Sequence, residues 1–197
     1  MANDADLTRL FVAIANLDHV ALELLDSTPF LATAGIARSD EFFLAERSAQ
    51  IYEGDTALHA AAFSYDTEIA RDLINRGAAI RAKNRRGAEP LHASTIGSPG
   101  STTWNPMRQR EVIGYLIEAG ADPNATAAGG VTPLHRAVRN RCSAAVEALL
   151  HGGADRRLRN DSGSTALDLA HLTTGRGGTG SAAAKAEQSR ILRILQR

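Results

Sequence analysis

Apolar residues along this chain fall into short bursts, and the bursts themselves recur. Leu58, Leu91, Leu134 and Leu167 each sit one turn inside a small-residue, alanine-rich run. Each is followed, a turn later, by a second run with apolar residues at three- and four-residue steps: Ile69, Leu73, Ile74; Val112, Ile113, Leu116, Ile117; Val146, Leu149, Leu150. That spacing predicts pairs of short helices, each with one buried stripe. Pro90 and Pro133 stand where a first helical residue belongs, a position where proline loses no hydrogen bond. Gly77, Gly120 and Gly153 follow the second run, and glycine accepts the left-handed backbone that ends a helix. Polar stretches then lead to the next pair: Arg81 to Arg86, Asn124 to Gly129, Arg156 to Ser162.

The flanking segments follow the pattern loosely. Leu10, Ile14, Leu17, Ala21, Leu24 and Leu25 predict an amphipathic helix or helix pair over 7–26, capped by Asp6 or Thr8, with Asn16-Leu17-Asp18 as the turn. Ser39-Asp40-Glu41 reads as the cap of another helix carrying Phe42, Phe43, Ala45 or Glu46, Ala49 and Tyr52, closed by Gly54. At the other end a glycine-rich stretch, 173–181, precedes a helix from about Ala182 with Ile191, Leu192, Ile194 and Leu195 on one side.

The first runs share more than periodicity. Gly130-Val131-Thr132-Pro133-Leu134-His135-Arg136-Ala137 is echoed by Gly54-Asp55-Thr56-Ala57-Leu58-His59-Ala60-Ala61, by Gly87-Ala88-Glu89-Pro90-Leu91-His92-Ala93 and by Gly163-Ser164-Thr165-Ala166-Leu167-Asp168-Leu169-Ala170. The leucines are 33, 43 and 33 residues apart, so the second unit carries ten extra residues between its leucine and its Gly120. A fixed period means stacked supersecondary units. These units resemble the ankyrin repeat in period and in the T-P-L-H-x-A signature.

The resemblance implies an all-α solenoid of helix-turn-helix units with short hairpin fingers. It implies one continuous domain: a degenerate N-terminal repeat with capping helices over 1–53, then units 54–86, 87–129 with an insertion, 130–162, and 163–197 with a glycine-rich insertion and a capping helix. It also implies a non-enzymatic module that binds a protein partner through its concave face and finger tips. His59, His92 and His135, at one repeat position, would bond the threonine and the neighbouring unit rather than a metal. Repeats stack about 8–10 Å apart, too far for two ligands each about 2 Å from one zinc ion.

Composition refines this picture in three ways. Aromatics are 5% of the chain, so alanine and leucine must do the packing. Formal charge is zero overall, which with sparse aromatic interleaving argues against nucleic acid. The charge is uneven, −7 over residues 1–55 and +7 over the rest, so the two ends can steer a dipolar partner or assemble through one another. One cysteine rules out an internal disulfide framework and is neutral about compartment; with no signal-like start and no apolar run near 18 residues, a soluble cytoplasmic monomer is the expectation.

Catalytic and cofactor motifs are absent: there is no G-x-S-x-G, HExxH or CxxC. The 175–181 glycines have phosphate-loop spacing, but Ser181 stands in the lysine's place, and a flexible linker fits better. No cofactor or metal is expected. The candidate partner-binding residues are basic finger and inner-helix positions beside two aromatics: Arg85, Arg86, Arg136, Arg139, Arg157, Phe63 and Tyr65. They suit a partner with an acidic surface. A second reading places a small-ligand or enzymatic site at the insertions near 97–107 and 173–181, around Trp104, Arg141 and Cys142, with arginines lowering the thiol pKa.

Overall fold

The computed structural model describes residues 4–37, 41–45, 49–172 and 181–197. Ten α-helices, a short 3-10 helix at Pro29–Ala32 and one small hairpin make up this part of the chain: α1 Asp4–Asn16, α2 Val20–Ser27, β1 Phe42–Leu44, β2 Ala49–Ile51, α3 Ala57–Ser64, α4 Thr67–Asn75, α5 Pro90–Ala93, α6 Pro106–Glu118, α7 Pro133–Arg139, α8 Ser143–His151, α9 Ala166–His171 and α10 Ala182–Leu195. Helices pair as the spacing predicts, and each pair packs on the next. The inner row runs α1, α3, α5, α7, α9, and the outer row runs α4, α6, α8, α10. Buried side chains form one cluster, from Leu7 to Leu195.

Each unit is built by the same local chemistry. Thr132 and Thr165 accept the backbone N–H three residues on, His135 at 3.3 Å and Asp168 at 3.2 Å, and so cap the first helix. The histidine at that third position reciprocates through Nδ1, which accepts from the backbone N–H of Thr56, Glu89 or Thr132. Nε2–H then donates across the stack: His59 to the Ala88 carbonyl at 3.1 Å, His92 to Val131 at 3.1 Å, His135 to Ser164 at 3.0 Å. In the last unit Asp168 accepts from both the amide and the hydroxyl of Thr165 and makes no such cross-link. Glu89 replaces the capping threonine in the second unit, fully buried, with Arg81 at 3.5 Å and Lys83 at 3.9 Å.

Second helices end on glycine with a positive φ, 93° at Gly77, 107° at Gly120 and 94° at Gly153. The next amide then bonds five residues back: Ala78 to Leu73, Ala121 to Leu116, Ala154 to Leu149. The polar stretches form fingers that bond to one another, Arg85 N–H to Glu53, Ala128 N–H to Arg86 and Asp161 N–H to Gly129, at 2.8–3.0 Å.

Two expectations are corrected. The N-terminal helix starts at Asp4, so Asp6 and Thr8 lie inside it rather than capping it. The segment read as a helix over 42–52 is an antiparallel hairpin, with Phe42 opposite Ile51, Phe43 opposite Gln50 and Leu44 opposite Ala49. The winning pattern is period two: Leu44, Ala49 and Ile51 turn inward, while Phe43 and Gln50 face out. Phe42 stacks edge-on against Phe11 of α1 at 6.1 Å, fastening the hairpin to the first helix. The expected cap at Ser39 and Asp40 lies outside the described residues, as does the glycine-rich stretch except Ser181, whose hydroxyl caps α10 through the Ala184 amide.

The turns between paired helices use a left-handed residue that is not glycine: Leu17 at φ 57°, Tyr65 at 59° and Arg141 at 58°. Leu17 is 41% exposed, so little packing offsets a strain of about 1–2 kcal/mol. Leu17→Gly should therefore raise stability by about 0.5–1 kcal/mol after glycine's own entropy cost, seen as a rise of roughly 1–4 °C in the thermal midpoint.

The histidines set an acid limit. Burial is the largest cause lowering all three pKa values below the usual 6.5, to about 3 for His92. Protonation would also place an Nδ1–H against the backbone N–H it now accepts. A lowered pKa means that the unfolded chain takes up these protons first, so their contribution is intact above pH 6.5. It falls progressively as pH drops from 6.5 toward 3. Denaturant midpoints measured across that range should decline, and His92→Gln should flatten the decline.

Candidate functional site

The inner face is not an open ledge. The second unit's first helix, α5, stops after four residues, because Ser94 and Thr95 turn their hydroxyls back onto the carbonyls of Leu91 and His92 at 2.8 Å. The inserted loop that follows, 96–104, turns across the inner face instead of projecting from the edge. Gln109, fully buried on α6, gathers it: its amide donates to the Ser94 carbonyl at 2.9 Å and the Ile96 carbonyl at 3.3 Å, and its oxygen accepts from Trp104 Nε1–H at 2.9 Å. Tyr65 Oη donates to the Ile96 carbonyl, and Asn140 donates to the Thr95 carbonyl at 2.9 Å. Gly97 fits only as glycine, since a Cβ there would lie 2.7 Å from Cys142 Sγ and 2.8 Å from the Trp104 ring. Asn105 and Pro106 then start α6, with Asn105 Oδ1 accepting from the amides of Met107 and Arg108 at 3.1 Å.

This loop, the hairpin β1–β2, two fingers and α7 enclose a groove of about 700 Å³. Phe43, Gln50 and Tyr52 line it from the hairpin, Arg86 and Ala128 from the fingers, Ser98, Thr103 and Trp104 from the loop, and Arg136, Arg139 and Asn140 from α7. Among its described lining residues there is no Asp or Glu. Arg136 is half-buried, and its pKa is lowered first by burial, then by the charges of Arg139 and Arg86. Asp55, tied to Asn84 at 2.8 Å and to the Tyr52 amide at 2.8 Å, opposes this from behind the wall. Tyr52 lies beneath two guanidinium groups, Arg85 at 5.0 Å and Arg86 at 5.7 Å.

The structure thus brings together Arg86, Arg136 and Arg139 of the residues singled out from sequence. It places the others differently. Phe63 and Tyr65 lie on the groove wall but are 5% and 4% exposed, so they support the wall rather than present a contact. Arg85 points to Glu41, in an ion pair, with Tyr52 beneath it. Arg157 is exposed at another finger, paired with Asp155 at 3.1 Å, and does not line the groove. Trp104 is half-buried and pins the loop.

The reading centred on Arg141 and Cys142 is corrected. Both are buried, and the rest of the second insertion expected to frame them lies outside the described residues. Burial pushes the Cys142 thiol up to about 12, the opposite of activation by neighbouring arginines. Arg141 lines a smaller recess of about 340 Å³ with Asn160, Ser162 and Gln188. Residues that the sequence reasoning missed are Tyr52, Gln50, Asn140 and Gln109. The first two follow from the period-two pattern of 49–52, whereas nothing local marks Asn140 or Gln109.

No group of three or more His, Cys, Asp or Glu that could hold a metal ion occurs among the described residues. Nor is any helix there long and apolar enough to cross a membrane. Comparison with known proteins gives two family matches, to ankyrin repeats in three copies over residues 10–127 and to ankyrin repeats in many copies over 116–170. The first reaches back into α1, beyond the firmest sequence signal. Among similar proteins are Ankyrin repeat and SOCS box protein 16 of Mus musculus, 37% identical over 58% of this chain and 25% of its own length, and Tyrosine-protein kinase Shark of Drosophila melanogaster, 32% identical over 60% and 12%. E3 ubiquitin-protein ligase KEG of Arabidopsis thaliana is 31% identical over 54% of this chain and 6% of its own length. The chain spans a quarter or less of each of these relatives.

Cys142 should resist alkylation in the native protein at pH 8, since the thiol is both inaccessible and protonated there. Gln109→Leu removes the loop's central fastening and should speed alkylation at least severalfold without unfolding the stack. A native rate equal to that of a simple peptide thiol would contradict the packing of Gly97 over Cys142.

Proposed function

The chain belongs to the ankyrin-repeat family, and we propose that it is a non-enzymatic module that binds a partner protein with an acidic surface through the groove on its inner face. Ankyrin repeats are generally protein-protein interaction modules. The observation that carries the finer reading is the set Arg86, Arg136 and Arg139 in a groove whose described walls hold no carboxylate. Arginine suits such a site because its planar fork pairs with carboxylates bidentately and sheds water readily.

Arg136 is fixed by burial among the first helices, and Arg86 and Arg139 approach it from a finger and from the end of α7. Stacked repeats hold these groups in place before a partner arrives, so little ordering cost opposes binding. Arg85 and Arg157 are already held by Glu41 and Asp155 and are not among the residues lining the groove. The kinase and ligase activities in the relatives' names belong to proteins far longer than the matched region.

A charge-reversal pair at the two exposed positions, Arg86→Glu with Arg139→Glu, tests this. Quantitative affinity capture should lose the partner by about tenfold or more, as for anchoring arginines at an interface, while circular dichroism and thermal midpoint stay within a few degrees. Undiminished recovery of every captured protein would move the site off the inner face.

A further inference from the structure

We infer that the groove receives a linear acidic segment of a partner chain, several carboxylates on an extended stretch of backbone, in preference to the surface of a folded domain. The inference rests on the proposed function and narrows it.

The walls are the first ground. A repeat stack ordinarily leaves its inner face open along its length, but here the loop 96–104 closes one side and the hairpin β1–β2 another. A recess of about 700 Å³ is of the size that encloses a compact ligand, roughly 300–1,000 Å³. A folded partner typically covers about 800 Å² on each side and would have to displace the loop.

Charge is the second ground. Arg86, Arg136 and Arg139 line one groove, and after burial the charges of Arg139 and Arg86 are the next causes that lower the Arg136 pKa, so a polyanion lying along them relieves that repulsion. A single carboxylate would satisfy one of the three. A run of carboxylates matches all of them.

The apolar surface is the third. Phe43, 61% exposed, and the half-buried Trp104 line the groove and offer aromatic surface beside the charges. In an extended chain successive side chains point to opposite sides. One alternating acidic and apolar residues therefore meets arginines with one set and these rings with the other.

Trp104 is the chain's one tryptophan and reports on the groove directly. The full chain is titrated with a blocked seven-residue peptide alternating carboxylate and apolar side chains, followed by fluorescence and in parallel by calorimetry. A second titration uses the same peptide with every carboxylate replaced by its amide. Saturable binding is expected, weakening as salt is raised. The amide peptide should bind about tenfold or more weakly, as should the acidic peptide to a variant carrying Arg86→Gln and Arg139→Gln.

Absence of heat and of any Trp104 change overturns the inference, as does equal affinity for the two peptides or unaltered binding by the variant. Full displacement of the peptide by an equal concentration of inorganic phosphate also overturns it, since the site would then be a bare oxyanion cradle. The two readings fail separately. If the charge-reversal pair abolishes capture of a folded partner while the peptide does not bind, the linear-segment inference falls and the groove remains a protein site. If capture is also unaffected, both fall.

Discussion

The structure depends on the hydrogen bond that each buried histidine sends into the next unit. A helix pair of some twenty residues cannot close a core by itself, and its apolar side is finished only by its neighbour. His59, His92 and His135 fix how that neighbour sits, because Nδ1 is committed to the unit's own backbone and only Nε2–H remains to reach across. The neutral ring does both jobs at once; a charged ring could not accept at Nδ1. The shared apolar core and the finger-to-finger backbone bonds then continue the same register from unit to unit. The last unit, where aspartate replaces histidine, sends no such bond onward.

The inserted loop departs from that regularity, and the functional site lies where it does. Ten additional residues between α5 and α6 could have projected from the edge of the stack. A buried glutamine, a tyrosine hydroxyl and a glycine that admits a close approach to Cys142 turn them inward. The loop thereby converts a repeated surface into a bounded one. Its opposite wall comes from the hairpin before the first clear repeat, so the groove is made from two irregular pieces facing each other across regular ones.

This division explains what was legible in the sequence. Repeat phase, helix pairs, terminating glycines and the structural role of the histidines could all be read, because each rests on local chemistry repeated at equivalent positions. The hairpin at 42–51 is ambiguous in the sequence: aromatic and alanine residues at 42, 43, 45, 49 and 52 fit a helical period nearly as well as a strand period. The contact with Phe11 of α1 that decides between them is remote in the chain. Arg86, Arg136 and Arg139 could be selected as basic residues on fingers and an inner helix, but not their convergence. The wall that bounds them could not be read either, because the loop's course is set by Gln109 and Asn140, two residues with no motif. For Cys142, adjacent arginines in sequence suggested a reactive thiol, but burial beneath Gly97 outweighs them.

The fingers carry a further consequence. Among the described residues their backbone bonds run from one finger to the next, Glu53 to Arg85, Arg86 to Ala128, Gly129 to Asp161, with none skipping a neighbour. Cohesion between units is therefore a chain of nearest-neighbour links, and opening at one end leaves the remaining links untouched. Peeling from the N-terminus therefore reaches the groove early, because one of its walls is the hairpin that precedes the first clear repeat, whereas peeling from the C-terminus reaches it only after the last unit has opened.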